Sequence, residues 1–126
     1  MHKILLKSKI HRVKVTDANL EYEGSISIDE ELMDKAGILP YEKVSIWDIN
    51  NGSRFETYAI PAARHSGSVV VNGAASRLVQ VNDVIIVATF GLYDEKELNG
   101  FKPVVVYVDK KNRRISSASH ASDSCK

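Results

Sequence analysis

The chain has 126 residues, 44% hydrophobic and 26% charged, which is enough apolar material for the core of one domain and too much for a disordered chain. Seventeen basic residues face sixteen acidic ones, so the formal net charge of +1 supplies no long-range field for holding nucleic acid or a membrane surface. The lone cysteine, Cys125, can neither close an internal disulfide nor complete a cysteine cage for a metal, and is expected to be inert.

Along the chain, the opening MHKILLKSKIH is broken by lysines, unlike the continuous apolar centre of a signal peptide, and no apolar run reaches membrane-spanning length. A cytoplasmic location is the resulting expectation. Residues 3–7 and 11–16 are rich in β-branched side chains and read as two strands. Residues 26–28 alternate again. Asp29 then caps a helix running to Ala36, with Glu30 and Glu31 at its positive end, Lys35 at its negative end, Gly37 as a left-handed stop, and Leu32, Met33 and Ala36 as its buried stripe.

Residues 44–49 and 55–60 flank NNGSR, whose Asn-Gly pair signals an antiparallel hairpin. Asn51-Gly52-Ser53 also matches the glycosylation sequon, but without an export signal it reads as turn chemistry. Residues 69–71 form a strand leading into Asn72-Gly73-Ala74-Ala75, a turn that opens a brief helix through Leu78. Residues 83–90 are almost wholly apolar, like a strand buried on both faces, and residues 94–98 and 104–108 suggest a helical turn and a last strand. From residue 116 onward a polar tail is expected to be mobile. Many short strands with one clear helix favour a mainly β fold, a small closed barrel formed by residues 1–115 as a single domain.

The step with chemical interest is Gly24-Ser25, within YEGSIS. Taken alone it is weak, because Gly52-Ser53 and Gly67-Ser68 repeat the dipeptide and need only be turns. Its setting is more specific. The segments KSKIHRVKVT, VTDANLEYEGSISID, IWDINNGSRFETYAI and VNGAA, in this order and spacing over roughly the first ninety residues, closely resemble the pyruvoyl-dependent aspartate decarboxylase family. The resemblance implies a six-stranded double-psi β-barrel, a homotetramer with active sites at subunit boundaries, decarboxylation of L-aspartate to β-alanine for pantothenate and coenzyme A synthesis, and no metal.

It further implies autocatalytic cleavage between Gly24 and Ser25 into a short chain, residues 1–24, and a long chain, residues 25–126, helped in part of the family by a maturation factor. Glycine has no Cβ, so Gly24 can hold a strained conformation that opens its carbonyl to the Ser25 hydroxyl, giving an ester through a tetrahedral oxyanion. Thr57 is the implied donor to that oxyanion. Elimination from the ester and hydrolysis then release ammonia and leave a pyruvoyl group where Ser25 stood, a ketone able to take up the electrons left when CO2 departs.

For a substrate with two carboxylates, the resemblance implies Lys9 and Arg54 as the cations, and Tyr58 as the proton donor to the carbon that loses CO2. It also draws Asn72, Gly73, Ala74 and Ala75 to the substrate, the amide as an orienting group and the small residues because they let backbone N–H groups approach a carboxylate; without the resemblance NGAA would be a plain turn. His11, Tyr22 and Trp47 are candidate pocket residues, although such side chains on strands are more commonly packing. Strand alternation sends Thr57 and Tyr58 to opposite faces, which a bulge, or pocket walls from neighbouring subunits, would reconcile with a shared role.

His2, His11, His65 and His120 lack ligand spacing, so no metal site is expected. Residues 110–114, KKNRR, have no aromatic platform beside them and read as a solvated turn. The competing readings are a non-enzymatic small β-barrel binding module and a hydrolase with Ser25 as an ordinary nucleophile; for the latter neither a G-x-S-x-G elbow nor a histidine partner is visible.

Overall fold

The structure, a computed structural model, describes residues 1–116. The tail expected to be mobile, apart from Ser116, lies outside the described residues, as do His120 and Cys125. Nine strands form one sheet: β1 (His2–Lys14), β2 (Asp17–Asn19), β3 (Ser25–Asp29), β4 (Lys43–Asp48), β5 (Arg54–Ala62), β6 (Val69–Asn72), β7 (Val84–Asp94), β8 (Val104–Val108) and β9 (Arg114–Ile115). One helix, α1 (Glu30–Ala36), follows β3, and short 3-10 helices occupy Gly73–Leu78 and Glu95–Glu97. The fold is mainly β, as the spacing of short apolar stretches requires.

The strand order is β2-β6-β3-β5-β4-β7-β1-β8-β9. Only Val15 and Thr16 separate β1 from β2, so one chain path pairs with β7 along its first part and with β6 at its end. The junction is bonded on both sides: Val15 N–H donates to the Asp83 carbonyl and Thr16 N–H to the Val69 carbonyl, each at 2.8 Å. β2, at one end of the strand order, is thus joined to β1, near the other end, through one chain path, an arrangement consistent with a barrel. Inside lie Ile10, Val13, Ile26, Ile28, Ile46, Val71, Ile85 and Val87, all fully buried.

Three local readings differ from the structure. The two strands expected before residue 17 are a single strand, because residues 8–10 are held between β7 and β8 and no glycine or proline interrupts them. Register shifts between Leu6 and Ser8 and between Ile10 and Val13 absorb the twist, with Arg12 at a positive φ of 62°. The hairpin turn takes positive φ at Gly52 and not at Asn51; the Asp48 carboxylate shapes it by accepting the Asn50 and Asn51 N–H groups at 2.8 and 3.3 Å. The apolar strand β7 is fully buried on only one face, since on the other Ala88 is covered but Ile86 is half-buried and Phe90 is 46% exposed. Composition registers apolarity but cannot say whether anything covers the second face.

Asp29 behaves as the sequence indicates and does more. Its carboxylate caps α1 through Glu31 N–H at 2.9 Å, and also accepts from His65 and Gly67 N–H at 3.0 and 2.9 Å. The last two bonds tie the loop after β5 to the end of β3, the strand on which Ser25 stands first. Gly37 ends the helix at φ 69°, and Leu32, Met33 and Ala36 are its buried face. Among the described residues no helix is long and apolar enough to cross a membrane.

Candidate active site

Ser25 opens β3 directly opposite Asn72, the last residue of β6. That register brings the Asn72 amide to the serine hydroxyl: Nδ2 donates to Ser25 Oγ and to Ser27 Oγ, at 3.1 Å each. Ser25 is only 2% exposed. Its own O–H reaches the Glu23 carbonyl at 3.5 Å, the limit of a useful bond, so the hydroxyl is oriented from one side and loosely held on the other. The Asn72 Oδ1 is buried without a partner among the described residues, an acceptor facing unfilled polar demand.

Gly73 explains how the segment before Ser25 is held. Its φ is +71°, and a Cβ there would lie 2.6 Å from Gly24 Cα, 2.7 Å from Gly24 N and 3.1 Å from the Tyr22 carbonyl. Only glycine permits this approach. Gly24 itself is not in the left-handed region, and a Cβ on it would meet nothing within 4 Å. The conformational demand expected at Gly24 is therefore found at Gly73, which packs against the Gly24 N and Cα just before the Gly24-Ser25 bond.

Ser25, Ser27 and Asn72 line a cleft of about 590 Å³ together with Tyr22, Tyr41 and Tyr58, of which Tyr22 and Tyr41, 64% and 77% exposed, stand at its solvent side. The β4–β5 register pairs Tyr58 with the exposed Lys43, and Thr57 with the core residue Val44, with no bulge between them. Cross-strand partners share a face, so Tyr58 points outward to the cleft and Thr57 inward, as alternation requires. The group bonded to the Ser25 hydroxyl is Asn72, and Thr57 is not among the residues lining the cleft. Of the residues after Gly73, Ala74 is exposed and Ala75 packs against the core. Tyr41 escaped the sequence reading because LPYE looks like a plain turn.

The cations lie elsewhere. Lys9 pairs with Ala88 of β7, which pairs in turn with Ser45 of β4, while Arg54 pairs with Trp47 two residues further along β4. The Arg54 guanidinium stacks over the Trp47 ring at 4.5 Å, and Trp47 lies 6.4 Å from Phe90. Lys9, Trp47 and Arg54 are thus gathered on the face formed by β1, β7, β4 and β5, and none of them lines the Ser25 cleft. The charged residues that do line it, Asp17 and Glu23, are both acidic. A neighbouring groove of about 450 Å³ on the cationic face includes Ile4, Phe90 and Leu92.

His11 packs edge-to-face on Tyr107 at 5.9 Å, with Nδ1 buried and unpartnered among the described residues. Burial, then the nearby charges of Lys9 and Arg12, push its pKa below the ordinary imidazole value, so it stands neutral at pH 7. It forms no hydrogen bond to Ser25; the Ser25 hydroxyl meets only Asn72 and the Glu23 carbonyl among the described residues. No group of three or more metal-ligating side chains occurs among the described residues. The arrangement suits attack of a serine hydroxyl on a pinned neighbouring peptide far better than proton relay through a triad.

Known proteins share this sequence closely. Residues 1–115 match the family model described as aspartate decarboxylase. The aspartate 1-decarboxylase of Thermoanaerobacter pseudethanolicus is 52% identical over 116 residues, covering 92% of this chain and 99% of that protein. The aspartate 1-decarboxylase of Syntrophus aciditrophicus is 55% identical over 113 residues, covering 90% of this chain and 97% of its own. That of Acetivibrio thermocellus is 54% identical over 115 residues, 91% of each chain.

Proposed function

The chain belongs to the aspartate decarboxylase family, and we propose that it is a carboxy-lyase converting L-aspartate to β-alanine and CO2 with a pyruvoyl group made from its own Ser25. The observation that carries this reading is the close packing of Gly73 on Gly24 together with the hydrogen bond that the Asn72 side-chain amide donates to Ser25 Oγ, inside a cleft that also holds Tyr58.

In maturation, Ser25 Oγ adds to the Gly24 carbonyl carbon while Asn72 keeps the hydroxyl aimed across the peptide. The C–N bond breaks, the nitrogen takes the hydroxyl proton, and the peptide becomes an ester. Loss of the Ser25 α-proton and cleavage of the Cβ–O bond release residues 1–24 with a C-terminal carboxylate. Water then replaces the nitrogen, which leaves as ammonia. The burial of Ser25 suits the product, since a ketone there is shielded from bulk water and retains the Asn72 N–H as a donor. A pyruvoyl ketone supplies the electron sink that decarboxylation of an amino acid needs.

The residues of the cleft then have separate tasks. Tyr58, on the outward face of β5 and lining the cleft, is the proton donor to the α-carbon. Among the described residues, the cleft of a single copy offers a dicarboxylate only Asp17 and Glu23 as charges, which would repel it. Lys9 and Arg54 therefore act from a neighbouring copy, with sites shared between the subunits of a homotetramer; Arg54, stacked on Trp47, is preorganised to grip a carboxylate with two parallel bonds. Cytoplasmic β-alanine produced in this way feeds pantothenate and coenzyme A synthesis. Comparing cleavage of the purified chain alone with cleavage in cell extract reads whether a maturation factor takes part.

The test is release of CO2 and β-alanine from L-aspartate by the purified protein. We expect Ser25→Ala to abolish both, and Tyr58→Phe to cleave normally yet turn over slowly. Wild-type turnover by Ser25→Ala would overturn the assignment.

A further inference from the structure

We propose that Tyr41, a residue without an assigned role, is a positioning residue for Tyr58, held at the mouth of the cleft by a turn whose backbone favours a smaller side chain. The proposal rests on the reading of Tyr58 as proton donor.

Leu39, Pro40, Tyr41 and Glu42 form a tight turn closed by Glu42 N–H donating to the Leu39 carbonyl at 3.1 Å. Proline stands second, and Tyr41, third, has a φ of +70°. This is the type II pattern, in which the third residue is normally glycine or asparagine because a Cβ at positive φ crowds the backbone. A bulky aromatic at such a φ is an outlier whose cost calls for a local reason. Core burial is not that reason, since Tyr41 is 77% exposed.

The turn is fastened to the strand that carries Tyr58. Tyr41 N–H donates to the Ala59 carbonyl at 2.7 Å, and Ala59 N–H to the Glu42 carbonyl at 3.0 Å. The Glu42 carboxylate braces the assembly, accepting Leu39 N–H at 2.9 Å and Lys7 Nζ at 2.6 Å. With the backbone so fixed, the Tyr41 ring lies beside the Tyr58 ring, centroids 6.1 Å apart and planes tilted by 32°. Both rings line the cleft that contains Ser25. The separation is within the range of favourable aromatic pairing. Tyr58 points away from the core into the cleft, and the Tyr41 ring beside it limits the swing of its phenol on that side.

The decisive variants remove the ring without disturbing the turn. Tyr41→Asn and Tyr41→Gly both suit a positive φ, so we expect normal cleavage by mass and an unchanged or raised melting temperature. On matured protein we expect kcat to fall roughly tenfold while KM changes less than about twofold. Tyr41→Phe retains the ring and should recover at least half of the wild-type kcat. In a Tyr58→Phe background, Tyr41→Asn should have no further effect. Wild-type kcat in Tyr41→Asn, a Tyr41→Phe as slow as Tyr41→Asn, or activity lost in step with a lowered melting temperature would each overturn the proposal. If Tyr58→Phe turns over normally, the proton-donor reading fails; if Tyr58→Phe is slow and Tyr41→Asn is not, the positioning role alone fails.

Discussion

The Ser25 cleft and the face carrying Lys9, Trp47 and Arg54 are built in different ways. In the cleft, positions are set by backbone approach and amide hydrogen bonds: Gly73 against Gly24, Asn72 on Ser25. Its titratable groups are acidic or phenolic. The other face is cationic and aromatic, with Arg54 lying on Trp47 and the apolar side chains of Ile4, Phe90 and Leu92 exposed nearby. In the proposed function the first region breaks a bond of its own chain and the second receives a carboxylate. Each lacks what the other has, which would give the proposed assembly a chemical purpose as well as a stabilising one.

The comparison can be broken at either end. The largest effect should come from Gly73→Ala. Its Cβ would meet Gly24 at 2.6 Å, and the residue would also sit at a φ of +71°, so the Gly24-Ser25 peptide must move. A shift near 1 Å costs on the order of 100-fold in a reaction that depends on alignment, and we expect cleavage, followed by denaturing gel, to slow by that order. Next in size is the cationic face. Arg54→Ala should cleave normally but bind aspartate poorly, raising KM by roughly 10- to 100-fold in steady-state assays. Co-expression with Ser25→Ala, which keeps its arginine but makes no pyruvoyl group, should restore part of the activity in mixed assemblies. Failure to complement would place both regions' roles within one copy.

A smaller effect separates the two regions from the framework between them. Asp48 is 2% exposed, with Oδ2 buried and unpartnered among the described residues, and burial, followed by the nearby Asp83 carboxyl, raises its pKa above the ordinary carboxylate value. The folded chain therefore holds this proton more tightly than the unfolded chain. Stability falls as pH rises from the unfolded pKa to the raised folded one, and stays reduced above it. Asp48→Asn keeps an oxygen for the Asn50 and Asn51 N–H groups and removes the charge. We expect thermal unfolding to lose that pH slope, with a gain on the order of 1 kcal/mol at neutral pH, and cleavage to be unaffected.

What the sequence reveals here depends on the range of the interaction. Asp29, Glu30, Glu31 and Gly37 announce α1 because caps and helix ends are local chemistry. The opposed directions of Thr57 and Tyr58 follow from alternation alone, and the pairing with Val44 and Lys43 agrees. The continuity of β1 was hidden because it depends on β7 and β8, more than seventy residues away in sequence. Gly73 could be recognised as small, but its contact with Gly24 spans forty-nine positions and has no local signature. Tyr41 was hidden for the opposite reason: a tyrosine at the third position of a turn is visible in LPYE, but its positive φ is not, nor is the strand to which the turn is fastened.

Intact-protein mass spectrometry of the matured enzyme tests the central claim most directly. We predict a fragment equal to residues 1–24 and a second equal to residues 25–126 but lighter by one ammonia than the same segment with an N-terminal serine, both present in the preparation that releases CO2 from aspartate. An uncut chain of full mass with undiminished aspartate decarboxylase activity would contradict it.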